Sequence, residues 1–590
     1  MKKNHILSIL CLFLGFSLNA QQDVFSKSDA GTGDWGSGNL PWYYLSSNNS
    51  QGDPDNNNNT RNYIKIGHNN NTTMTTNGRF YIFASLDFQV DATSPRIINN
   101  SGGGLSASNG IYNLSTATHT FNTPIGIDGS TVNFLANSSG GLSFNETIFI
   151  NANTINFDGS STGNITVNGE IQGTGNITKS GSNTLTLSGN NIYTGSTTVS
   201  SGTLILTTNI AFSDVTVNNG ATLQISGNAT ISSLTVDAGG IVIIDAGKSL
   251  TTSNFSNNGT VTANHGSSIK VSGTSTGSIT YNLFVNDTNW HLLSSPVIGE
   301  GYDTSWVDAN LIDNTTRTVG TNVGISTYDN TTGNWIYATD GSTGNFDTGK
   351  GYSIKRDATT SDISFTGSIK VNDASIPITA NDIGGGAENR WTLIGNPFTN
   401  YVNVTDLLAL TANDVALEDS REALYVWNGS TYAPITTGFI YPGQGFFVNS
   451  NVASTSIAIN QDMLSHQSSG VNFYKSQNND FSVSLMMTND KKTSSTEINY
   501  VDGKTKGLDP KFDLGTFTGV SNPFSVYSHL VNDDKGIDFM RQALPNTDLE
   551  AMVIPVGIIA DAGEITFSAE AMNLPAGLKV FLEDRTTNTF

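Results

Sequence analysis

The sequence predicts an all-β chain: a β-solenoid first, then a duplicated β-rich domain, then an incomplete β-sandwich. Three observations predict it. Short apolar–polar alternations, the period of a half-buried strand, recur along most of the chain. Turn glycines return about every 20 residues through the middle of the sequence. Capped helical patterns are scarce, the clearest being Thr405 ahead of Asp406 to Leu410.

Composition bounds the function classes. Charged residues make up 13% of the 590, and there are 61 Gly. Asn numbers roughly 70, so the chain is turn-rich, polar and weakly charged. Hydrophobic residues still reach 36% and aromatics 9%, enough to bury a large core. The length allows about three or four domains. A formal charge of −22 argues against nucleic acid and anionic membranes, both of which require a Lys/Arg surface.

The first twenty residues read as a secretory signal peptide. Lys2 and Lys3 precede an apolar run from Ile6 to Leu18, and Leu18-Asn19-Ala20 supplies a cleavage site. That run is too short to span about 30 Å of hydrocarbon, so no transmembrane segment is expected. The mature chain is expected to begin at Gln21 and to be secreted, extracellular or on the outer cell surface. The only cysteine, Cys11, lies inside the leader. Leu10 stands where a lipid-anchored cysteine wants a small residue. The mature chain then has neither disulfides nor thiol chemistry.

Residues 21–160 are read as an N-terminal cap and early coils, and 161–280 as β-helix repeats. Glycines ahead of strands at Gly202, Gly220, Gly239 and Gly259 are 18, 19 and 20 apart. A period near 20 in an all-strand pattern is the mark of a solenoid, whose coils stack to bury one core. Trp35, Trp42, Tyr43 and Tyr44 are placed as a plug on the first coil, with an aromatic sugar-binding platform as the alternative.

The string from Leu185 through Ser188-Gly-Asn-Asn-Ile-Tyr-Thr-Gly195 and Val199-Ser-Ser-Gly-Thr-Leu204 resembles the autotransporter-associated β-strand repeat of secreted passenger proteins. The resemblance is close over about one coil. It implies a right-handed β-helix at a cell surface, adhesin-like, with no implied catalysis.

Residues 281–468 contain a duplication, with copies at about 281–380 and 381–468. Trp290-His-Leu-Leu-Ser-Ser-Pro-Val297 aligns with Trp391-Thr-Leu-Ile-Gly-Asn-Pro-Phe398, and Gly349-Lys-Gly-Tyr-Ser-Ile354 with Gly443-Gln-Gly-Phe-Phe-Val448. The second copy's strings resemble the region ahead of the C-terminal sorting domain in surface proteins of the type IX secretion system. Leu574-Pro-Ala-Gly-Leu-Lys-Val-Phe-Leu582 is similar to the same class. The resemblance implies the type IX machinery as a partner. Residues 469–590 are read as a β-sandwich, truncated at Phe590 ahead of the sorting domain.

No catalytic set emerges. Between Gly159 and Asn282 the acids are Glu170, Asp214, Asp237 and Asp245 and the bases Lys179, Lys248 and Lys270, all expected as solvated turn charges. A glycosidase needs two facing carboxylates, and a lyase needs calcium beside a base. Gly159-Ser-Ser161-Thr-Gly163 and Gly273-Thr-Ser275-Thr-Gly277 match a nucleophile elbow in spelling but not in strand–helix context. The mature histidines, His68, His119, His265, His291, His466 and His529, lack ligand spacing. Asp53, Asp55 and Asn57 alternate oxygen ligands as a short calcium loop does, making calcium the one cofactor candidate. Rows such as Asn56–Asn59 and Asn69–Thr73 are expected as ladders or loops. An extracellular glycan or matrix surface is the expected partner, with a carbohydrate-active enzyme or carbohydrate-binding protein as the alternative.

Overall fold

The computed structural model describes residues 80–585 and 587, apart from 91, 161, 315–316, 382–389, 468–480 and 490; ahead of residue 80 it describes the strands Asp23–Ser26, Gly33–Asp34, Trp42–Tyr44, Asn62–Ile66 and Thr73–Thr75. The protein is all-β, about 5% helical, with a β-solenoid of about nine turns and further β-sheets. It divides into two compact units, 1–223 and 224–590. The signal-peptide residues and the calcium candidates Asp53, Asp55 and Asn57 lie outside the described residues. So do the side chains of Trp35, Trp42, Tyr43 and Tyr44, and the Asn rows near 56 and 69.

In the first unit each coil pairs in parallel with the next. One ladder of inward residues runs Ile98, Phe121, Phe144, Val167, Leu187, Leu206. These positions are 23 residues apart as far as Val167, then 20, then 19. The period near 20 read from glycines therefore belongs to the later coils. A second ladder runs Ile111, Phe134, Phe157, Lys179, Val199, Val217. The wider 23-residue coils enclose more space, and phenylalanines fill it. Phe121 stacks on Phe144 at 4.9 Å, Phe144 on Phe134 at 4.8 Å, and Phe157 meets Phe134 edge-on at 5.5 Å. At the N-terminal end, Asp23–Ser26 pairs in parallel with Asn62–Ile66 and antiparallel with Trp42–Tyr44, which covers the free edge of that strand.

The second unit continues the coil pattern with shorter steps. Leu234 pairs with Phe255, Val242 with Val261, Leu250 with Ile269, and Ala263 with Tyr281. Its coil interior is aliphatic apart from Phe255 and Tyr281. Gly202, Gly220 and Gly239 have φ of +67°, +75° and +81°, the left-handed turn that favours glycine. Gly259 has no such φ. A Cβ there would lie 2.3 Å from the Gly240 carbonyl oxygen, so close approach selects it.

The last coil ends against the duplicated region. Ile363–Gly367 pairs antiparallel with Ile279–Leu283 over five residues. Beside it, Ile269 N–H donates to the Thr399 carbonyl at 3.0 Å and Thr399 Oγ1 donates back to the Ile269 carbonyl at 2.7 Å. Asn400 reaches Ser268 Oγ and Tyr401 the Gly266 carbonyl, both at 2.9 Å. Backbone groups that an open coil would leave unpaired are thereby satisfied.

Two four-stranded antiparallel sheets follow with the same strand order. In the first, His291–Leu293 neighbours Tyr352–Ile354, then Asn322–Asp329, then Asn334–Thr339. In the second, Trp391–Gly395 neighbours Gly445–Asn449, then Leu424–Trp427, then Tyr432–Ile435. The two copies of the Trp motif thus sit at the same strand position. The predicted helix is Val404–Ala409, and its cap is Asn403 rather than Thr405: Asn403 Oδ1 accepts from the N–H of Thr405 at 2.9 Å and of Asp406 at 3.4 Å. The strands expected as a sandwich hydrogen-bond into one seven-stranded mixed sheet within 481–572. Its core joins Leu485, Met487, Phe524 and Val526.

Candidate binding surface and the residues tested for catalysis

The strongest Ser–His contact is structural. His119 is buried in a 23-residue coil, stacked on Phe88 at 3.8 Å. Its Nδ1 accepts the Arg96 N–H at 3.1 Å, so the ring proton sits on Nε2 and donates to Ser115 Oγ at 2.8 Å. Ser115 Oγ in turn donates to Asn113 Oδ1 at 2.8 Å. A catalytic serine needs the reverse, an imidazole that accepts its proton. Burial holds the imidazole neutral, with its pKa lowered to about 3.

The other histidines do not converge. His265 Nδ1 accepts from the Phe284 N–H, and His291 faces Asp287. His466 bridges Thr251 and Ser268, and His529 lies between Asp534 and Asp538. His68 and Ser161 lie outside the described residues. Ser275 opens a two-residue strand, Ser275–Thr276, with no helix after it. Among the described residues no group of three His, Cys, Asp or Glu side chains could hold a metal ion.

Of the coil charges, Asp245 is held by Gln224 and Ser226, while Asp214 and Asp237 are exposed. Lys179 overturns the expectation of a solvated turn charge. It takes a core position between Phe157 and Val199, fully buried. Its Nζ donates to the carbonyls of Ser180 at 2.5 Å, Gly181 at 3.0 Å and Ser201 at 3.3 Å. Burial lowers its pKa to about 8, against the opposing pull of Asp158. The ammonium ties together turn carbonyls of consecutive coils where the coil length changes from 23 to 20.

The nearest approach to a two-carboxylate set is Glu422 with Asp414. Burial first, then the hydrogen bond from Asp414, raises the Glu422 pKa to about 7. Lys511 first, then Glu422, lowers that of Asp414. Lys511 Nζ lies 2.6 Å from Asp414 and 3.1 Å from Glu422. Glycosidase carboxyls stand about 5 Å or more apart to admit a sugar or water. Here the carboxyls share a hydrogen bond and a lysine, so they form a strut.

Sequence reasoning missed the main aromatic cluster. Trp391, Tyr425 and Phe447 of the second copy, with Tyr328 and Trp335 of the first, surround Phe517. Phe517 lies 4.1 Å from Tyr432, 4.5 Å from Trp391 and 4.8 Å from Phe447, centroid to centroid. Tyr425 donates to the Gly515 carbonyl and Tyr328 to the Gly519 carbonyl, both at 2.7 Å. Trp391 donates to Thr518 Oγ1 at 2.9 Å. The alternation around Phe517 carries no signal that it seats among these rings.

What the coils present outward is uncharged and regular. Asn122 donates to Asn99 at 2.9 Å, Asn145 to Asn122 at 2.7 Å and Asn168 to Asn145 at 2.8 Å. A second row joins Asn133, Asn156 and Ser180 at 3.0 and 2.7 Å. A third aligns Thr178, Thr198 and Thr216, all half-buried, on adjacent strands. In the second unit Thr235, Ser256 and Thr276 align likewise. Strand spacing sets such rows about 4.8 Å apart. Hydroxyls and amides both donate and accept, so these faces suit polar, uncharged partners. They offer no group that titrates near neutral pH for proton transfer.

Fold and surface define an autotransporter-associated β-helix repeat protein, and a passenger-associated-transport-repeat model matches residues 177–206. That match begins two residues before Lys179. The chain belongs to the family described as Domain of unknown function (DUF8693), whose model matches residues 207–437 and 419–590. No curated protein and no solved structure matches it. Among the described residues no helix is long and apolar enough to cross a membrane.

Proposed function

We propose that this chain is an adhesin-like passenger, secreted to the cell surface, whose coils hold an uncharged hydroxyl and amide surface against an extracellular glycan or matrix. The passenger repeat and the solenoid fit a secreted surface passenger. The observation that carries the binding reading is the set of aligned side-chain rows, above all Thr178, Thr198 and Thr216. A flat row of fixed polar groups repeats one weak contact many times, so affinity grows with the length engaged. The absence of net positive charge in the chain directs the reading to neutral partners rather than polyanions. Export by the type IX machinery is part of the proposal, supported by the resemblance of the Trp391–Phe398 and Leu574–Leu582 strings.

The test is retention of the purified chain on a panel of glycans and matrix proteins. The triple change Thr178→Val, Thr198→Val and Thr216→Val keeps β-branching while removing the hydroxyls. Expected is binding by the native chain and at least a tenfold loss in the triple variant. Equal binding by both would refute the row as the contact. Release of reducing or unsaturated ends from a polysaccharide would favour the enzyme reading instead.

A further inference from the structure

The seven-stranded sheet of the second unit ends in a strand that lacks the usual protection of an edge. Thr566–Met572 is the last strand in the sheet order, and every one of its residues is exposed. It pairs with Phe481–Thr488 over seven residues with no register shift, so no bulge bends it away. It contains neither Pro nor Lys, and its single charge is Glu570. Sheet edges are ordinarily blunted by such features, since unpaired N–H and C=O groups recruit another strand.

The apolar face also runs on past its cover. Val483, Leu485 and Met487 are buried on the inner side of their strand. Directly opposite them stand Ala571, Ala569 and Phe567, which continue that face into the open. Phe567 is 38% exposed.

We propose that this edge pairs with the same edge of a second copy of the chain, antiparallel and two-fold symmetric about Ala569. The proposal is independent of the adhesin reading. Its argument is self-complementarity. An antiparallel pair of identical strands is isologous by construction. Centring on Ala569, the middle residue, uses all seven residues of each strand. Phe567 then faces Ala571 of the other copy, large against small on the core side. Glu570 faces Ser568, so the only charge meets no like charge. Shifting the axis to residue 570 would oppose two glutamates, a destabilising pair. Opposed residues share a face, so the row from Met487 and Leu485 continues unbroken into the second copy.

The test uses the absence of other cysteines. In the Cys11→Ser chain, Ala569→Cys puts two thiols opposite each other across the axis, with Cα atoms about 4.5 to 5.5 Å apart, within reach of a disulfide. Ala571→Cys puts its two thiols four residues apart along the strands, about 13 Å, out of reach. Sedimentation equilibrium of the Cys11→Ser chain is expected to give a dimer at micromolar concentration. Mild oxidation should link the Ala569→Cys chains almost completely and leave the Ala571→Cys chains unlinked. Ala569→Lys, at a fully exposed site, should yield a folded monomer. A monomer throughout, or equal linking at 569 and 571, overturns the proposal. A monomer that instead captures an apolar-alternating peptide strand assigns the edge to a different partner and equally overturns it.

Discussion

The coils of the first unit and those of the second solve the same packing problem at two sizes. With 23 residues per coil, the first unit encloses a cross-section that aliphatic side chains alone would leave hollow, and Phe88, Phe121, Phe134, Phe144 and Phe157 fill it with His119 among them. With steps of 18 to 21 residues, the second unit closes on Leu, Ile and Val, as at Leu234, Val242 and Leu250. Coil length and side-chain volume change together because interiors tolerate few voids. The wider coils also carry the long Asn ladder at their turns, whereas the shorter coils rely on glycine turns such as Gly239.

The comparison breaks most sharply at an aromatic position. Phe144 contacts two rings in stacked geometry, so Phe144→Ala should cost about 3–5 kcal/mol. Leu250→Ala, in a narrower coil, should sit near the lower end of its 2–5 kcal/mol range. Hydrogen exchange resolved by segment is the readout, because a repeat array need not unfold as one unit. Equal effects at the two sites would dissolve the size argument.

Acid should separate the units next. His119 is held neutral in the folded coil, with its pKa lowered to about 3, so below its ordinary value near 6.5 the unfolded state gains a proton that the folded state refuses. Stability of the wide coils should therefore fall as pH drops from about 6.5 to 3, and His119→Gln should flatten that slope. His466 gives the second unit a similar slope from about 6.5 to 4, located where Ser268 and Thr251 meet the duplicated region. Glu422 works in the opposite sense. Its raised pKa means that the stabilisation is present below about 4.5 and is lost as pH rises through about 7.

Lys179 sharpens the comparison at the change of coil length. Lys179→Met removes the donor to three turn carbonyls, at a cost of about 1–3 kcal/mol near neutral pH. Because its pKa is lowered to about 8, the native chain should gain stability between about pH 8 and 10.5, a gain that the variant lacks. Unfolding midpoints of both proteins across that range provide the check. The smallest expected effect is at the surface: Asn145→Ala deletes two ladder bonds at an exposed turn and should cost about 1 kcal/mol.

Much of the candidate surface was legible beforehand. The outward alternation at Thr178, Thr198 and Thr216 follows from strand period alone, and the repeat wording at Leu185–Leu204 pointed to the passenger class. The Asn ladder was expected in kind, but the described ladder runs through Asn99, Asn122, Asn145 and Asn168. A 23-residue recurrence of single asparagines is hard to see in a chain with so many. Lys179 was taken for a surface charge because nothing adjacent in sequence marks its carbonyl partners, one of which comes from Ser201 on the next coil.

By itself the sequence determined the strands, the glycine turns and the stacking period, since all three depend on neighbours along the chain. It also determined the two Trp motifs that occupy matching strands in the duplicated region. Only the tertiary structure decided which coils are wide, where Lys179 is buried, that Phe517 seats among the rings of Trp391, Tyr425 and Tyr432, and that Ile363–Gly367 covers the last coil. Those outcomes join residues tens to more than a hundred positions apart. Their energies come from excluded volume, desolvation and backbone hydrogen bonds across coils, which no local pattern records.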